Sequence, residues 1–218
     1  MNSYPPTLTR PLQPPAHPLQ ARDNLFCKRL CDLLLASIFL LLLWPLLLLI
    51  ALAVRLSSPG PALFRQERVT RGGQIFWMYK FRTMPVDTEL GSGPIWATAD
   101  DPRPTPLGTL LRRSSLDELP QLLNVLNGSM SFVGPRPERP FFVERFSQSI
   151  PGYARRHQVK AGLTGLAQIQ GLRGDTSIEE RVRCDLTYIE NWSLSLDLRI
   201  ILQSFWVVVA DFIQRKAY

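Results

Sequence analysis

The sequence has few of the residues that build metal and disulfide frameworks. Its 218 residues include 3 cysteines and 2 histidines. Cys27, Cys31 and Cys184 form no C-x-x-C pair, so the sequence supports neither a structural zinc site nor a disulfide framework. The 45% of hydrophobic residues is enough for a core once a membrane segment is set aside. We therefore expect one domain held together by apolar packing, with attachments.

The charge of the chain is positive, with 25 Lys and Arg against 18 Asp and Glu, a net +7. Such a balance suits nucleic acid, anionic lipid headgroups or phosphorylated substrates. The sequence contains no recognised groove-reading or base-stacking module, so we expect no nucleic-acid partner. The motifs have to decide between lipid and phosphorylated substrates.

The first 24 residues are crowded with proline and poor in large apolar side chains. Such a segment buries too little surface to offset the entropy lost on ordering. We predict a disordered tail over residues 1–24.

An uncharged run, "LLLASIFLLLLWPLLLLIALAV", occupies residues 33–54. At 1.5 Å per residue it is long enough for a hydrocarbon core of about 30 Å. Ala51-Leu52-Ala53 has the form of a signal-peptide cleavage site, but the polar region before the run is too long for a signal peptide. Two interpretations remain: a kinked helix that spans the membrane and a re-entrant hairpin. Lys and Arg favour the cytoplasmic side, and both flanks of the run are positively charged, so a hairpin that enters and leaves on one face fits better.

Pro45 supplies the break that a hairpin needs, because it lacks an N–H for the carbonyl of Leu41 and its ring crowds that turn. Residues 33–44 and 46–54 are each too short to span alone. We predict a re-entrant helix-break-helix over residues 25–56, followed by a catalytic domain over residues 57–218.

The domain begins with a predicted strand or hairpin that turns between Val69 and Gln74 at a Gly-Gly pair. Lys80 and Arg82 lie two residues apart, on one face if this segment is a strand. The C-terminal segment from Glu180 is predicted to be helical and amphipathic, with Arg199, Gln203, Asp211 and Arg215 on one stripe. Trp192, Phe205 and Trp206 suit a helix in the membrane interface, and a helix packed on the protein's own core fits equally well.

Asp117 and Glu118 form an acidic pair that has two interpretations. Ser115-Leu116-Asp117-Glu118 fits a capping box. If Ser115 is the N-cap, however, Pro120 lacks the N–H that should bond the carbonyl of Leu116. A helix that begins at about Asp117 places Pro120 in the tolerated first turn. Both carboxylates then sit at a helix N-terminus that favours their ionised forms. An ionised carboxylate is a nucleophile or a magnesium ligand.

Arginines surround this pair: Arg112 and Arg113 precede it, and Arg136 follows in "GPRP", where prolines restrict the backbone. One guanidinium group can donate two parallel hydrogen bonds to the oxygens of a phosphate. Carboxylates and arginines together predict a site for a phosphorylated substrate with a divalent cation, and ordinary solvated charges are the alternative.

Several long segments resemble the bacterial sugar transferase family, the monotopic polyprenyl-phosphate phosphoglycosyl transferases. They run in the family's order from residue 28 to the C-terminus: "KRLCDLLLASIFLLLLWP", "SSPGPALFRQERV", "YKFRTM", "SSLDELPQLLNVLNGSMSFVGPRP", "KAGLTGLAQIQG" and "DLTYIENWSLSLDLRII". The resemblance implies an α+β, mostly helical fold: a re-entrant membrane helix broken at Pro45, a small β-hairpin and amphipathic interfacial helices around a compact catalytic domain. It places this domain on the cytoplasmic face of the bacterial inner membrane.

The resemblance also implies transfer of a sugar 1-phosphate from a UDP-sugar to undecaprenyl phosphate, with release of UMP, as the first membrane step of surface glycan assembly. Asp117 would attack the β-phosphate and form a phosphosugar-aspartyl intermediate, assisted by Glu118. Mg²⁺ would bridge Asp117 and the diphosphate. Arg112 and Arg136 would contact phosphate or nucleotide, and Lys80 and Arg82 are further basic candidates in the same site.

Trp44 stands where many relatives have a small residue, which affects the geometry of the break. Gln170-Gly171-Leu172-Arg173-Gly174 is closest to relatives that transfer glucose or galactose 1-phosphate. Larger relatives carry further membrane helices and a domain before this unit, so we expect a minimal catalytic unit.

The rival hypothesis is a catalytically inactive scaffold tethered to the membrane, which would tolerate Asp117→Asn. A homodimer is compatible with the sequence.

Overall fold

Helix α1, Arg22–Ser57, dominates the N-terminal part of the fold. The computed structural model describes residues 22–86, 88, 96 and 101–213. The tail predicted over residues 1–24 lies outside this range except for its last three residues, which already belong to α1. Within the described ranges, one helix, Asn24–Ser57, is long and apolar enough to cross a membrane by length and composition. The helix runs through Pro45 without a gap, so the proline does not divide it into two helices.

The rest of the described chain is mostly helical, with two short sheets. Its helices are α2 (Pro106–Arg113), α3 (Leu122–Leu126), α4 (Pro140–Ser149), α5 (Leu166–Ile169), α6 (Ile178–Glu190) and α7 (Leu194–Ile213). Its strands are β1 (Leu63–Val69), β2 (Ile75–Phe81), β3 (Ser131–Val133) and β4 (Gly162–Thr164). Two longer 3₁₀ helices occupy Leu116–Gln121 and Tyr153–Gln158.

The predicted hairpin is confirmed. Strands β1 and β2 pair antiparallel, with Val69 opposite Ile75 at the turn end. Gly72 and Gly73 both have left-handed backbones, at φ 69° and 77°, which residues with a Cβ adopt at a cost. The Gly-Gly pair therefore fixes the position of the turn.

A second sheet was not predicted. Strands β3 and β4 pair in parallel over three residues each, too few to show a period of alternation. The backbones approach so closely that a Cβ on Gly162 would lie 2.1 Å from the nitrogen of Gly134. This contact holds the start of the "GPRP" loop against β4.

The C-terminal segment forms two helices, α6 and α7. Ser193 immediately precedes α7, and its hydroxyl accepts a hydrogen bond from Leu196 N at 3.1 Å. Of the two positions considered for this segment, Trp192 takes the one in the core: it is 7% exposed and donates to a carboxylate oxygen of Asp197 at 3.1 Å. Phe205 and Trp206 are exposed, at 64% and 69%, and Arg215 lies outside the described residues.

Both ends of α1 contact the same folded unit. Near its start, Lys28 Nζ lies 2.6 Å from Asp197 Oδ2, and Asp32 accepts hydrogen bonds from Phe132 N at 2.8 Å and Ser131 Oγ at 3.0 Å. Ala36, in the N-terminal half of α1, is fully buried and belongs to the main core. Near its end, two further side chains pack in a separate cluster with residues of β2 and α2: Ile50 and Val54. One side of α1 is thus part of the hydrophobic core.

Candidate active site

A cavity of about 820 Å³ lies between β1, β2, the first 3₁₀ helix, the "GPRP" loop and α7. Nine of its described lining residues are Lys or Arg, and three are Asp or Glu. Such an excess of positive charge concentrates anions. The cavity contains all six predicted catalytic and phosphate-binding residues: Lys80, Arg82, Arg112, Asp117, Glu118 and Arg136.

Asp117 and Glu118 lie in the first turn of the 3₁₀ helix Leu116–Gln121. The helix begins one residue before the predicted start, and its tighter i→i+3 bonding accommodates Pro120. The capping box does not form, because Ser115 has a left-handed backbone and its side chain makes no cap bond. The acidic pair is therefore presented by a short, tight turn between α2 and α3.

Glu118 is held by two cations. Its carboxylate accepts hydrogen bonds from Arg136 Nη1 at 3.1 Å and Nη2 at 2.5 Å, and from Lys80 Nζ at 2.7 Å. Burial opposes ionisation, but the charges of Arg136 and Lys80 hold the pKa of Glu118 well below its usual range. Glu118 also raises the pKa of Arg136. Glu118 is therefore a fixed carboxylate anion that orients two basic side chains.

Asp117 is in a different environment, although it is the adjacent residue. It is 6% exposed, and its one ion pair within the described ranges is with Lys80, whose Nζ lies 4.0 Å from Oδ2. Burial raises the pKa of Asp117 to about 6, and Lys80 opposes this shift. Two adjacent carboxylates with pKa values pushed apart are typical of a division of chemical roles.

Arg112 reaches the cavity from the last turn of α2. Thr105 caps this helix by accepting from Gly108 N at 3.0 Å, and Pro106 occupies its first turn. The helix packs so closely that a Cβ on Gly108 would lie 2.0 Å from the carbonyl oxygen of Thr83. Arg112 Nε then donates to Thr83 Oγ1 at 3.0 Å.

Asp101 also orients Arg112, with Oδ2 at 3.8 Å from Nη1. Burial lowers the pKa of Arg112, and the nearby charges of Asp117 and Asp101 oppose the shift. Sequence reasoning missed Asp101 and Thr83, because neither belongs to a local pattern around Arg112.

Arg82 and Lys80 do not act as a pair. Arg82 follows the end of β2 and is 6% exposed. Its guanidinium donates to backbone carbonyls of the loop after α1, including those of Ser58, at 2.8 Å, and Pro59. These contacts fix the loop between α1 and β1, and a role of Arg82 in phosphate binding stays a prediction.

Arg68 and Glu138 form a further charged group in the cavity wall. Arg68 Nη1 donates to Pro137 O at 3.1 Å and to Glu138 Oε2 at 3.4 Å, and Arg181 Nη1 lies 3.8 Å from Glu138 Oε1. Burial lowers the pKa of Arg68 to about 10. Sequence reasoning missed this group, although strand alternation places Arg68 on the same face of the hairpin as Lys80.

No group of three or more His, Cys, Asp or Glu is placed to hold a metal ion in the part of the chain that the structure describes. Mg²⁺ does not need such a cage, because it commonly uses one or two carboxylates together with substrate phosphates and water. Asp117 offers carboxylate oxygens at the cavity wall that accept no hydrogen bond from described residues. The donor set therefore fits Mg²⁺ that arrives with a phosphorylated substrate.

The family model described as bacterial sugar transferase matches residues 23–211. The chain belongs to the bacterial sugar transferase family. The matched range contains α1 except for its first residue, Arg22, and every residue of the cavity named above.

Several proteins similar to this chain carry specific names. UDP-glucose:undecaprenyl-phosphate glucose-1-phosphate transferase of Xanthomonas campestris pv. campestris is 51% identical over 187 residues, 83% of this chain and 39% of the relative. Proteins of the same name from Escherichia coli (strain K12) and Caulobacter vibrioides are 48% and 49% identical, over 89% and 81% of this chain. The chain spans 42% of the former and 67% of the latter. It thus covers about two fifths of the Xanthomonas and Escherichia proteins.

Proposed function

We propose that this bacterial sugar transferase moves a hexose 1-phosphate from a UDP-sugar to undecaprenyl phosphate and releases UMP. The observation that carries the proposal is the contrast between the two carboxylates. Glu118 is tied to Arg136 and Lys80, whereas Asp117 accepts no hydrogen bond from described residues and faces the cavity. Relatives named as glucose-1-phosphate transferases support a hexose as the sugar. The reaction initiates assembly of a surface polysaccharide.

Asp117 is the nucleophile in this proposal. One of its oxygens bonds to the β-phosphorus of the UDP-sugar, the bond from that phosphorus to the bridging oxygen breaks, and UMP leaves with the electron pair. An oxygen of the lipid phosphate then attacks the same phosphorus, and the bond to Asp117 breaks. Covalent catalysis of this kind divides one difficult displacement into two.

The basic residues bind the phosphates. Arg112 is held by Thr83 and Asp101, and Arg136 by Glu118, so both guanidinium groups keep their orientation before a substrate arrives. Pre-organised donors stabilise developing charge without a further cost of reorganisation. Lys80, between the two carboxylates, reduces the repulsion between Asp117 and an anionic substrate.

Mg²⁺ is the proposed cofactor, with Asp117 as its protein ligand. When bound, it would neutralise negative charge on the diphosphate. Burial raises the pKa of Asp117 and so disfavours the ionised form that must attack. A cation bound beside Asp117 would favour that ionised form.

The proposed site of action is the cytoplasmic face of the inner membrane, with α1 re-entrant and bent at Pro45. Support comes from the contacts at both ends of α1, since Lys28 and Val54 both pack against the one catalytic domain. A straight helix across a bilayer would place these ends on opposite faces. The other side of α1 exposes large apolar side chains, among them Leu41, Leu42 and Leu48, at 74%, 68% and 61%.

Helix α7 is proposed to lie in the membrane interface. Leu198, Leu202, Phe205 and Trp206 are each at least 58% exposed along one helix, while Asp197 and Ile200 are buried. A surface helix with a continuous apolar exposed side fits the boundary between headgroups and acyl chains.

The test is UMP release by detergent-solubilised protein with Mg²⁺, undecaprenyl phosphate and each of UDP-glucose, UDP-galactose and their N-acetyl forms. Asp117→Asn is run in parallel. We expect release that needs the lipid for turnover and is lost in the variant, and an intact-mass increase of one sugar phosphate when the lipid is omitted. Full activity of Asp117→Asn would contradict the proposed mechanism. No release with any of the four sugars from folded protein would favour the scaffold or a modified sugar, and the mass adduct would separate these.

A further inference from the structure

Ser115 is the one residue other than glycine with a left-handed backbone in the described ranges, at φ 55° and ψ 14°. A Cβ makes this conformation unfavourable, whereas glycine adopts it freely. Strain of this kind concentrates at functional sites. The backbone alone would favour glycine at position 115, so the serine side chain needs its own explanation.

The backbone groups of Ser115 are already used. Its N–H donates to Arg112 O at 3.1 Å, and its carbonyl accepts from Glu118 N at 3.2 Å. The turn between them directs the chain from the end of α2 into the 3₁₀ helix, so that Arg112 and Asp117 line the same cavity. Glycine would make the same turn, and the turn therefore does not explain the hydroxyl.

The hydroxyl of Ser115 is not used as a helix cap. Three other hydroxyl residues at helix starts accept a backbone N–H: Thr105 from Gly108 at 3.0 Å, Ser177 from Glu180 at 3.2 Å and Ser193 from Leu196 at 3.1 Å. Ser115, with its left-handed backbone, makes no such bond. Its hydroxyl makes no hydrogen bond within the described part of the chain, and the residue lines the cavity.

We propose that the Ser115 hydroxyl donates a hydrogen bond to a phosphate oxygen of the substrate bound beside Asp117. The inference rests on the proposed function, which puts a diphosphate in this cavity. Lys80 and Arg112 attract the phosphate by charge. The Ser115 hydroxyl, two residues before Asp117, adds a neutral donor that stabilises negative charge on a phosphoryl oxygen.

Two substitutions separate the hydroxyl from the backbone. Ser115→Gly removes the hydroxyl and relieves the strain, so we expect Tm to rise by about 2–4 °C while kcat/KM for UMP release falls at least about tenfold. Ser115→Ala removes the hydroxyl and keeps the strain, so kcat/KM should fall by the same factor without a rise in Tm. A protein that is more stable and less active is the signature of the proposed role.

Ser114 is the matched control. It is the adjacent residue, has a right-handed backbone at φ −86°, and its hydroxyl is occupied by Leu110 O at 2.9 Å. Ser114→Ala should leave kcat/KM within about twofold, and Ser114→Gly should lower Tm, the opposite sign to Ser115→Gly.

Unchanged kcat/KM in both Ser115 variants would overturn the inference, as would a loss in Ser115→Gly alone, which would assign the effect to backbone rigidity. The wild type and Asp117→Asn decide the proposed function separately.

If the wild type releases no UMP, the dissociation constant of UDP, measured by calorimetry, decides the inference. Binding at least about tenfold weaker in both variants supports the hydroxyl, and equal binding in all three proteins overturns it.

Discussion

Arg136 donates two hydrogen bonds to Glu118, one from each terminal nitrogen, at 3.1 and 2.5 Å. Glu118→Gln removes the negative charge that holds Arg136 and Lys80 in the cavity wall. We expect UMP release to fall at least about tenfold and Tm to fall by several degrees, because hydrogen bonds to charged groups contribute about 1.5–3 kcal/mol.

Glu190→Gln is the matched control for this change. It alters an Arg–Glu pair with a similar separation, 2.8 Å from Arg155, but both side chains are about half exposed. Such exposed pairs contribute about 0–1 kcal/mol, so UMP release and Tm should change little. Equal effects of the two substitutions would remove Glu118 from the proposed set of site residues.

Asp117→Asn should change stability in the opposite direction to Glu118→Gln. Asp117 has a pKa of about 6 in the folded state, against an ordinary value of 3.8. Its contribution to the stability of the folded state is therefore present at low pH and is lost as the pH rises from about 3.8 to about 6. We expect the Tm of Asp117→Asn to exceed that of the wild type above pH 6, with the difference shrinking toward pH 4. Thermal unfolding in detergent across this range measures it, and a lower Tm for the variant at pH 8 would contradict the burial argument.

The pH dependence of the first transfer step should follow the same group. In the proposed mechanism Asp117 must be ionised to attack, so kcat/KM for UMP release should fall about tenfold per pH unit below pH 6 and level off above it. Rates measured from pH 5 to pH 8 with saturating Mg²⁺ test this. A flat profile down to pH 5 would mean that bound Mg²⁺ or substrate keeps Asp117 ionised.

Gly108→Ala should disturb Arg112 from a distance. The new Cβ would lie 2.0 Å from the Thr83 carbonyl oxygen, so α2 must shift. We expect a loss of stability of about 1–3 kcal/mol, together with weaker UDP-sugar binding, because Arg112 moves away from Thr83. Leu110→Ala, on the exposed side of the same helix, is the control and should change both quantities less.

Lys28→Met should destabilise the whole domain. Asp197 would stay buried with two neutral donors, Tyr188 OH at 2.7 Å and Trp192 Nε1 at 3.1 Å, and without its cation. Breaking a buried ion pair costs about 3–5 kcal/mol, which corresponds to a fall in Tm of about 10 °C. Adding Asp197→Asn should restore part of the loss, and Arg199→Met, on the exposed side of α7, should have little effect. No recovery in the double variant would mean that Lys28 acts mainly through packing.

Local signals predicted the hairpin and the position of the acidic pair. Gly72 and Gly73 fix a turn by their own conformations, and Pro120 restricts where the helix after Ser115 begins. The different environments of Asp117 and Glu118 could not be predicted locally, because they depend on Lys80 and Arg136, which tertiary folding brings to the pair.

Other features depend on contacts that no local pattern encodes. Asp101 reaches Arg112 across the start of α2, and the β3–β4 pair joins segments about thirty residues apart through the close approach of Gly134 and Gly162. Trp192 looked like a membrane anchor by residue type, but it is a core side chain that donates to Asp197.

The dual nature of α1 limits how this protein can be made water-soluble. Lys28, Asp32, Ala36 and Val54 complete the interior of the catalytic domain, while Leu41, Leu42 and Leu48 point away from it. Removing the helix would expose Asp197 and the apolar residues around it and unfold the remainder. Replacing only the outward leucines with polar residues would keep the interior intact, so a soluble transferase is to be sought by resurfacing α1 rather than by truncation.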